Sequence, residues 1–220
     1  MPRDTFNRIS EEKRERVLRQ AAWLFAEKGF AQADMAALAS RAGVSKGSLY
    51  DYFDNKEALY LHVCRDGLQR SRKAVYGEIN PEWDLYRQVK HIFRRGAAFA
   101  QSHPEYVALY LNFASAGMGH FAEQLSLEVE RYTASHLKKL IRDGIDKGLI
   151  RPDIDVNLTA FHINSLYIIF LGSLVSRHFR IRIKEYLEIN GEPTGKAIER
   201  HMEQTIALIE NFLRPTDSGS

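Results

Sequence analysis

Cysteine is almost missing from this chain: Cys64 is the single one among 220 residues, so no intrachain disulfide can staple the fold. A lone thiol fits a reducing compartment, and the expected localisation is cytoplasmic. An excess of one charge is missing too. The 31 Lys and Arg face 28 Asp and Glu, for a net charge of +3, and up to Tyr60 the count is ten against nine. Bulk charge therefore does not point to a polyanionic partner; only a local basic patch can. The glycines do not form a phosphate loop, because Gly117 and Gly119 are a lone G-x-G without a preceding strand, and between Gly43 and Ser48 the lysine precedes the glycine. No serine sits in a G-x-S-x-G turn. His62 and Cys64, two apart, point to different faces of a helix and have no second cysteine to complete a metal set. The pairs Asp143 with Asp146 and Asp153 with Asp155 are explained by helix ends and caps. These absences argue against an enzyme and give no cofactor or metal to expect. The opening M-P-R-D-T-F-N-R has no apolar core of the kind a secretory signal needs.

What is present is concentrated between Asp34 and Glu57, which read D-M-A-A-L-A-S-R-A-G-V-S-K-G-S-L-Y-D-Y-F-D-N-K-E. Asp34 is placed to cap a helix running to about Arg41, its carboxylate accepting from amides that have no intrahelical partner. Ala39 is small where two helices should cross, and Leu38, Val44 and Leu49 supply an apolar seam. Gly43 stands where a helix end calls for a left-handed residue. Ser45 caps the next helix, 46–53, whose first turn carries Lys46, Gly47 and Ser48, small and polar enough for the major groove. Asp54 with Glu57 forms the pattern of a capping box, which puts Lys56 beside free amides that favour a phosphate. The unit is a helix-turn-helix, and its expected partner is double-stranded DNA. Before it, Ser10 caps a helix that buries Val17, Ala21, Leu24 and Phe25 and stops at Gly29; after it, a helix from 55 to about 76, thinned or bent at Gly67, forms a lever into the rest of the chain.

The segment from about Ser10 to Leu61 carries E-K-G-F (Glu27 to Phe30), A-G-V-S-K-G-S-L-Y (Ala42 to Tyr50), Y-F (Tyr52, Phe53) and N-K-E-A-L (Asn55 to Leu59), and it resembles the N-terminal domain of the tetracycline-repressor (TetR) family. The resemblance implies an all-helical homodimer that binds a palindromic operator and is released from it by a small molecule. Carried over by position, it implies that Lys46, Gly47 and Ser48, together with the cap Ser45, approach bases or adjacent phosphates, while Tyr50, Tyr52 and Lys56 hold the DNA backbone. Two positions depart from the pattern. Asp34, Met35 and Ala36 stand where members often have Thr or Ser followed by Arg, and Asp51 is a carboxylate at a position that often faces the backbone.

From about Pro81 onward helical periodicity meets no competing strand pattern, so the fold class is all-α. Residues 1–60 are expected to form the helix-turn-helix domain, 61–214 a helical bundle for effector binding and dimerisation, and 215–220 a disordered tail. Helices are expected near 83–102, 104–115, 120–147, 155–177 and 194–213. Residues 156–176 contain no Asp, Glu, Lys or Arg and reach the length needed to cross a bilayer, yet Asn157, Thr159, His162, Asn164, Ser165, Ser173 and Ser176 interrupt the run, so no membrane partner is expected. A helix apolar on all sides is better served by two buried faces. Leu166, Phe170 and Leu174, with the stripe Ile198, Met202, Ile206, Ile209 and Leu213, are the expected dimer contacts, the alternative being that this stripe is intrachain core. Phe93, Tyr110, Phe113, Met118, Phe121, His162 and Tyr167 are the expected walls of a pocket for a hydrophobic or amphipathic effector. A helical small-molecule binding protein that never meets DNA is the competing reading. It would keep a pocket and show no duplex binding.

Overall fold

Capping residues set most of the helix ends. The computed structural model describes residues 2–115, 119–192 and 194–215, without the side chains of 113–115, 119–122 and 124. Among the described residues every element is an α-helix: α1 (Asp4–Arg8), α2 (Glu11–Gln32), α3 (Met35–Ala42), α4 (Lys46–Tyr52), α5 (Lys56–Tyr76), α6 (Leu85–Ser102), α7 (Pro104–Ser115), α8 (Gly119–Asp146), α9 (Val156–Val175), α10 (Arg177–Tyr186) and α11 (Gly195–Leu213). The side chains of Ser10, Asp34, Ser45, Asp155 and Thr194 each accept a backbone N–H at the start of the helix that follows. The chain divides into two compact units, one made of Met1–Arg72 with His103–Ser126, the other of Lys73–Ser102 with Leu127–Ser220. This is not the contiguous split at residue 60 that the sequence suggests.

The first unit recruits α7 for a physical reason. Tyr106 is 6% exposed and its hydroxyl donates to Asp66 Oδ2 at 2.6 Å. Asp66 also accepts from Arg70 Nε at 2.7 Å, and Arg70 pairs with Glu15 of α2. Asn112 of α7 donates to the carbonyl of Ala26. Gly67 serves this packing: a methyl group there would lie 3.1 Å from Tyr106 Cγ, inside the ring's edge. Helix α2 buries Val17, Ala21, Leu24 and Phe25 as its periodicity requires, and Gly29, at φ 69°, interrupts the helical backbone so that Phe30 meets Tyr60 at 5.2 Å. Helix α1 was not foreseen. Its single large apolar side chain, Phe6, is 1% exposed against Phe53 (4.8 Å) and Tyr52 (5.6 Å).

In the second unit α6 packs on α9 and α11 and buries Val89, Ile92, Phe93, Gly96 and Phe99. Gly96 is required by the Tyr167 ring, whose Cε2 and Cζ would stand 2.7 and 2.8 Å from an added Cβ. The expected helix 155–177 ends two residues early, because Ser176 is extended and α10 folds back with Phe179 over Gly172. Helix α10 closes on Glu188, a left-handed residue at φ 53°, with Ile189 N–H donating to Lys184 O at 3.0 Å.

Candidate nucleic-acid interface

The turn between α3 and α4 is built from local chemistry. Asp34 accepts from the amides of Ala36 (2.9 Å) and Ala37 (2.8 Å), and the Ala37 hydrogen bond leads in holding its carboxyl below the usual carboxylate range. Gly43 closes α3 in the left-handed region at φ 64°, ψ 40°. Arg16 of α2 caps the same end, its Nε donating to Ala42 O at 2.9 Å. Leu38, Ala39 and Leu49 are buried between the two helices, and Val44 is half-buried. One face of α4 is thereby fixed inward and the other faces solvent.

Ser45, Lys46, Gly47 and Tyr50 are exposed, with Tyr50 at 41%. Lys46 makes no hydrogen bond or ion pair among the described residues, and its field contributes to lowering the Asp34 pKa. Ser48 is half-buried; its amide donates to Ser45 Oγ at 2.9 Å, and the two hydroxyls share a bond of 2.8 Å. Asp51 is exposed, and its backbone carbonyl receives the Thr5 hydroxyl. Among the described residues of the turn and α4, Lys46 is the cation without an ion pair, bordered by the small residues Ser45 and Gly47.

Two of the expected DNA contacts have other work in the structure. Tyr52 is 6% exposed and packs on Phe6, so its ring is core rather than a surface contact. Lys56 sends its Nζ to the carbonyls of Ala31 (3.2 Å) and Ala33 (3.1 Å) and over the Phe30 ring at 4.7 Å, bracing the end of α2 instead of standing free for a phosphate. The cap of α5 also differs: Asn55 accepts from Ala58 N at 2.8 Å, while Asp54 pairs with Arg3 at 2.8 Å. Arg3 N–H donates to Tyr52 O at 2.8 Å, so α1 is tied to the end of α4.

The described residues of the expected effector wall are divided between the two units. Phe93 is 1% exposed and packs on Tyr167 (5.2 Å) and Phe170 (5.6 Å), filling space instead of lining it. His162 lies on the exposed side of α9 beside Phe161, which corrects its assignment to a cavity. Tyr110 is half-buried in the first unit, whereas Phe93, His162 and Tyr167 belong to the second. Met118 and the side chains of Phe113 and Phe121 fall outside the described residues. A cavity of about 250 Å³ does exist in the second unit, at the end of α9 and the start of α11.

The expected dimer stripe is corrected as well. Met202, Ile206, Ile209 and Leu213 are at most 6% exposed and Phe170 is 1% exposed, all within one chain; Leu166, Leu174 and Ile198 are half-buried. The apolar residues left in solvent are their neighbours on the opposite face: Leu158 (54%), Phe161 (66%) and Ile169 (36%) on α9, and Leu208 (61%) and Phe212 (53%) on α11. By length and composition α9 passes as a membrane span, and most of it is unburied within the chain.

Comparison with known proteins agrees with this geometry. Residues 17–63 match the family model described as bacterial regulatory proteins, tetR family. The chain is 26% identical over 170 residues to the HTH-type transcriptional regulator YhgD of Bacillus subtilis, covering 77% of this chain and 88% of that one. It is 27% identical over 154 residues to the HTH-type transcriptional repressor KstR2 of Mycobacterium tuberculosis, covering 66% and 73%. A TetR family transcriptional regulator from Chloroflexus aurantiacus has the same fold, with a TM-score of 0.77 at 23% identity over 98% of this chain and all of that one.

Proposed function

We propose that this chain, which belongs to the tetR family of bacterial regulatory proteins and is a DNA-binding transcriptional regulator, acts as a homodimeric repressor on a palindromic operator and leaves it when a small effector binds. The observation that carries the DNA side is the exposed start of α4, with Lys46 unpaired between Ser45 and Gly47 above a turn fixed by Gly43. A short helix of this kind reads the major groove through its first turn. Lys46 supplies the phosphate attraction that bulk charge does not, and Tyr50 flanks it.

The second copy is called for by α9 and α11. Five large apolar residues stand 36–66% exposed on their outer faces. At about 1.5–3 kcal/mol for complete burial of each such side chain, covering the exposed half of all five is worth roughly 4–8 kcal/mol per protomer. Asn157, His162 and Ser165 interleave with them, which suits a protein partner that can hydrogen-bond and disfavours hydrocarbon. Paired in this way, two α4 helices would have to stand about 34–36 Å apart to enter successive major grooves. An effector that prefers the other spacing by about 1–3 kcal/mol weakens operator binding roughly 5- to 150-fold. The working compartment is the cytoplasm, where DNA and a reduced Cys64 coexist.

The deciding experiment is a gel shift of the purified protein against fragments of its source genome at low salt, followed by sequencing of the bound fraction. A recurring inverted repeat is the expected result. Uniform failure to shift any fragment, with the protein folded and dimeric, would favour a helical ligand-binding protein instead.

A further inference from the structure

The cavity of the second unit holds charges that its own chain leaves poorly partnered. At about 250 Å³ it has room for about eight waters at roughly 30 Å³ each, the size of a small ligand. Leu174, Ile183, Ile189 and Ile198 give it aliphatic walls, and Arg180 and Glu192 border it. Arg180 sits 3.5 Å from Glu192, and Lys184 sits 3.9 Å from the other oxygen of the same carboxylate. A charge-assisted N–H···O bond closes to about 2.7–2.9 Å, so Glu192 hydrogen-bonds neither cation. The side chain of Glu192 is 75% exposed, against 39% for Arg180 and 28% for Lys184. The cations thus lie deeper than their counter-ion. Arg180 is held in place by a second bond, donating to Leu174 O at 3.2 Å at the end of α9. Ser173 is already satisfied by donating to Phe170 O at 2.6 Å, and burial holds His201 below its ordinary pKa, so it brings no positive charge at neutral pH. Two cations against one distant carboxylate leave one positive charge at the edge of a hydrocarbon-lined hollow.

We infer that this cavity binds a small aliphatic monocarboxylate, whose carboxylate takes the place of Glu192 beside Arg180, with Lys184 close by outside the lining, while its chain fills the space among Leu174, Ile183, Ile189 and Ile198. A neutral ligand would leave the cations as they are. The site deepens the effector-responsive reading above and rests on it only for the consequence at DNA; binding itself follows from the cavity.

The probe is octanoate, titrated calorimetrically into the full chain beside octan-1-ol, which has the same hydrocarbon and no charge. Octanoate should bind once per protomer and at least about tenfold more tightly than the alcohol, as expected when a charged hydrogen bond is gained. Arg180→Gln should weaken octanoate about tenfold or more, Ala197→Phe should abolish its binding by filling the hollow, and Glu192→Gln should tighten it about three- to tenfold by removing the competing carboxylate. The gain on Glu192→Gln is the informative sign, since an unspecific apolar site would not give it. No binding to the wild-type chain, or binding indifferent to both Glu192→Gln and Ala197→Phe, overturns the assignment, and these two variants decide the matter even where Arg180→Gln unfolds. Duplex binding measured in parallel separates the two claims. A protein that shifts operator fragments and ignores octanoate loses this site but remains a regulator; one that takes octanoate with the stated variant pattern and shifts no DNA keeps the site and loses the regulator.

Discussion

Replacing Phe161 by Ala tests the dimer through the large apolar residue of α9 and α11 that the isolated chain covers least. The ring is 66% exposed on α9, and burying a whole Phe side chain is worth about 1.5–3 kcal/mol, so its exposed two-thirds carries about 1–2 kcal/mol. A two-fold interface contains the residue twice, which doubles the effect to about 2–4 kcal/mol per dimer. At 1.4 kcal/mol per factor of ten, the dimer dissociation constant should rise roughly 30- to 700-fold. Sedimentation velocity over a concentration series reads this directly, and urea unfolding at concentrations where both proteins are monomeric should differ little, because most of the ring lies outside its own chain's contacts. The control is Ile206→Ala on α11. Ile206 is 2% exposed, so truncating it creates an internal cavity costing about 2–5 kcal/mol of stability, with the outer face of the helix intact. Were Ile206→Ala to split the dimer while Phe161→Ala left it whole, the covered stripe would be the interface after all, and the reasoning from exposure would fail.

Further outcomes follow from individual contacts. Lys46→Ala should weaken binding to all duplexes alike and lower the log–log salt slope by about 0.9 per protomer, whereas Lys56→Ala should leave that slope unchanged and cost about 1–2 kcal/mol in urea unfolding, because its ammonium braces α2. Equal changes of slope in both variants would return Lys56 to the DNA surface. Gly67→Ala should destabilise the protein by about 1.5–5 kcal/mol in urea unfolding despite a gain of about 1 kcal/mol in helix propensity, since the new methyl displaces Tyr106 and breaks its bond to Asp66; a variant as stable as the wild type would contradict the close approach. Burial holds His62, His136 and His201 below their ordinary 6.5. The unfolded chain therefore takes up protons first on acidification, and stability should fall as the pH drops through about 6.5, levelling off below the folded-state values, with no loss from these groups above about pH 7.5. Identical urea midpoints at pH 7.5 and 5.5 would refute this.

Where a helix begins depends on a few neighbouring atoms, and those positions were legible. Ser10, Asp34 and Ser45 cap the helices they were expected to cap, and Pro104 opens α7 at the expected residue. The turn at Gly43 was legible for the same reason, which fixed both the helix-turn-helix and the outward placement of Lys46. Long-range competition hid the rest. Helix α1 depends on one ring, Phe6, finding Tyr52 and Phe53 some fifty residues away, and α10 is masked by a run of Arg and Lys in which Phe179, Ile181 and Ile183 are spaced among charges. Lys56 shows the limit most clearly. Its position in the first turn of α5 suits a phosphate, yet the carbonyls freed at the end of α2, near Gly29, are closer takers.

The two apolar faces of α11 show what a better reading of the same residues would have used. Hydrophobic period alone finds the stripe Met202, Ile206, Ile209 and Leu213, and a monomer core satisfies it completely. The second face is marked by what surrounds it. Leu208 has Gln204, Thr205, Asn211 and Phe212 as its three- and four-residue neighbours, none of them charged, and Phe161 on α9 has Asn157, Leu158, Asn164 and Ser165. An exposed helix face in a monomer ordinarily carries Lys, Glu or Arg at that spacing, as α11 itself does at Glu199, Arg200, Glu203 and Glu210. An outward face that is apolar at its centre and uncharged at its rim has no use for bulk water. A partner helix with amide and hydroxyl groups of its own fits it, and in a symmetric pair the same face of a second copy provides both.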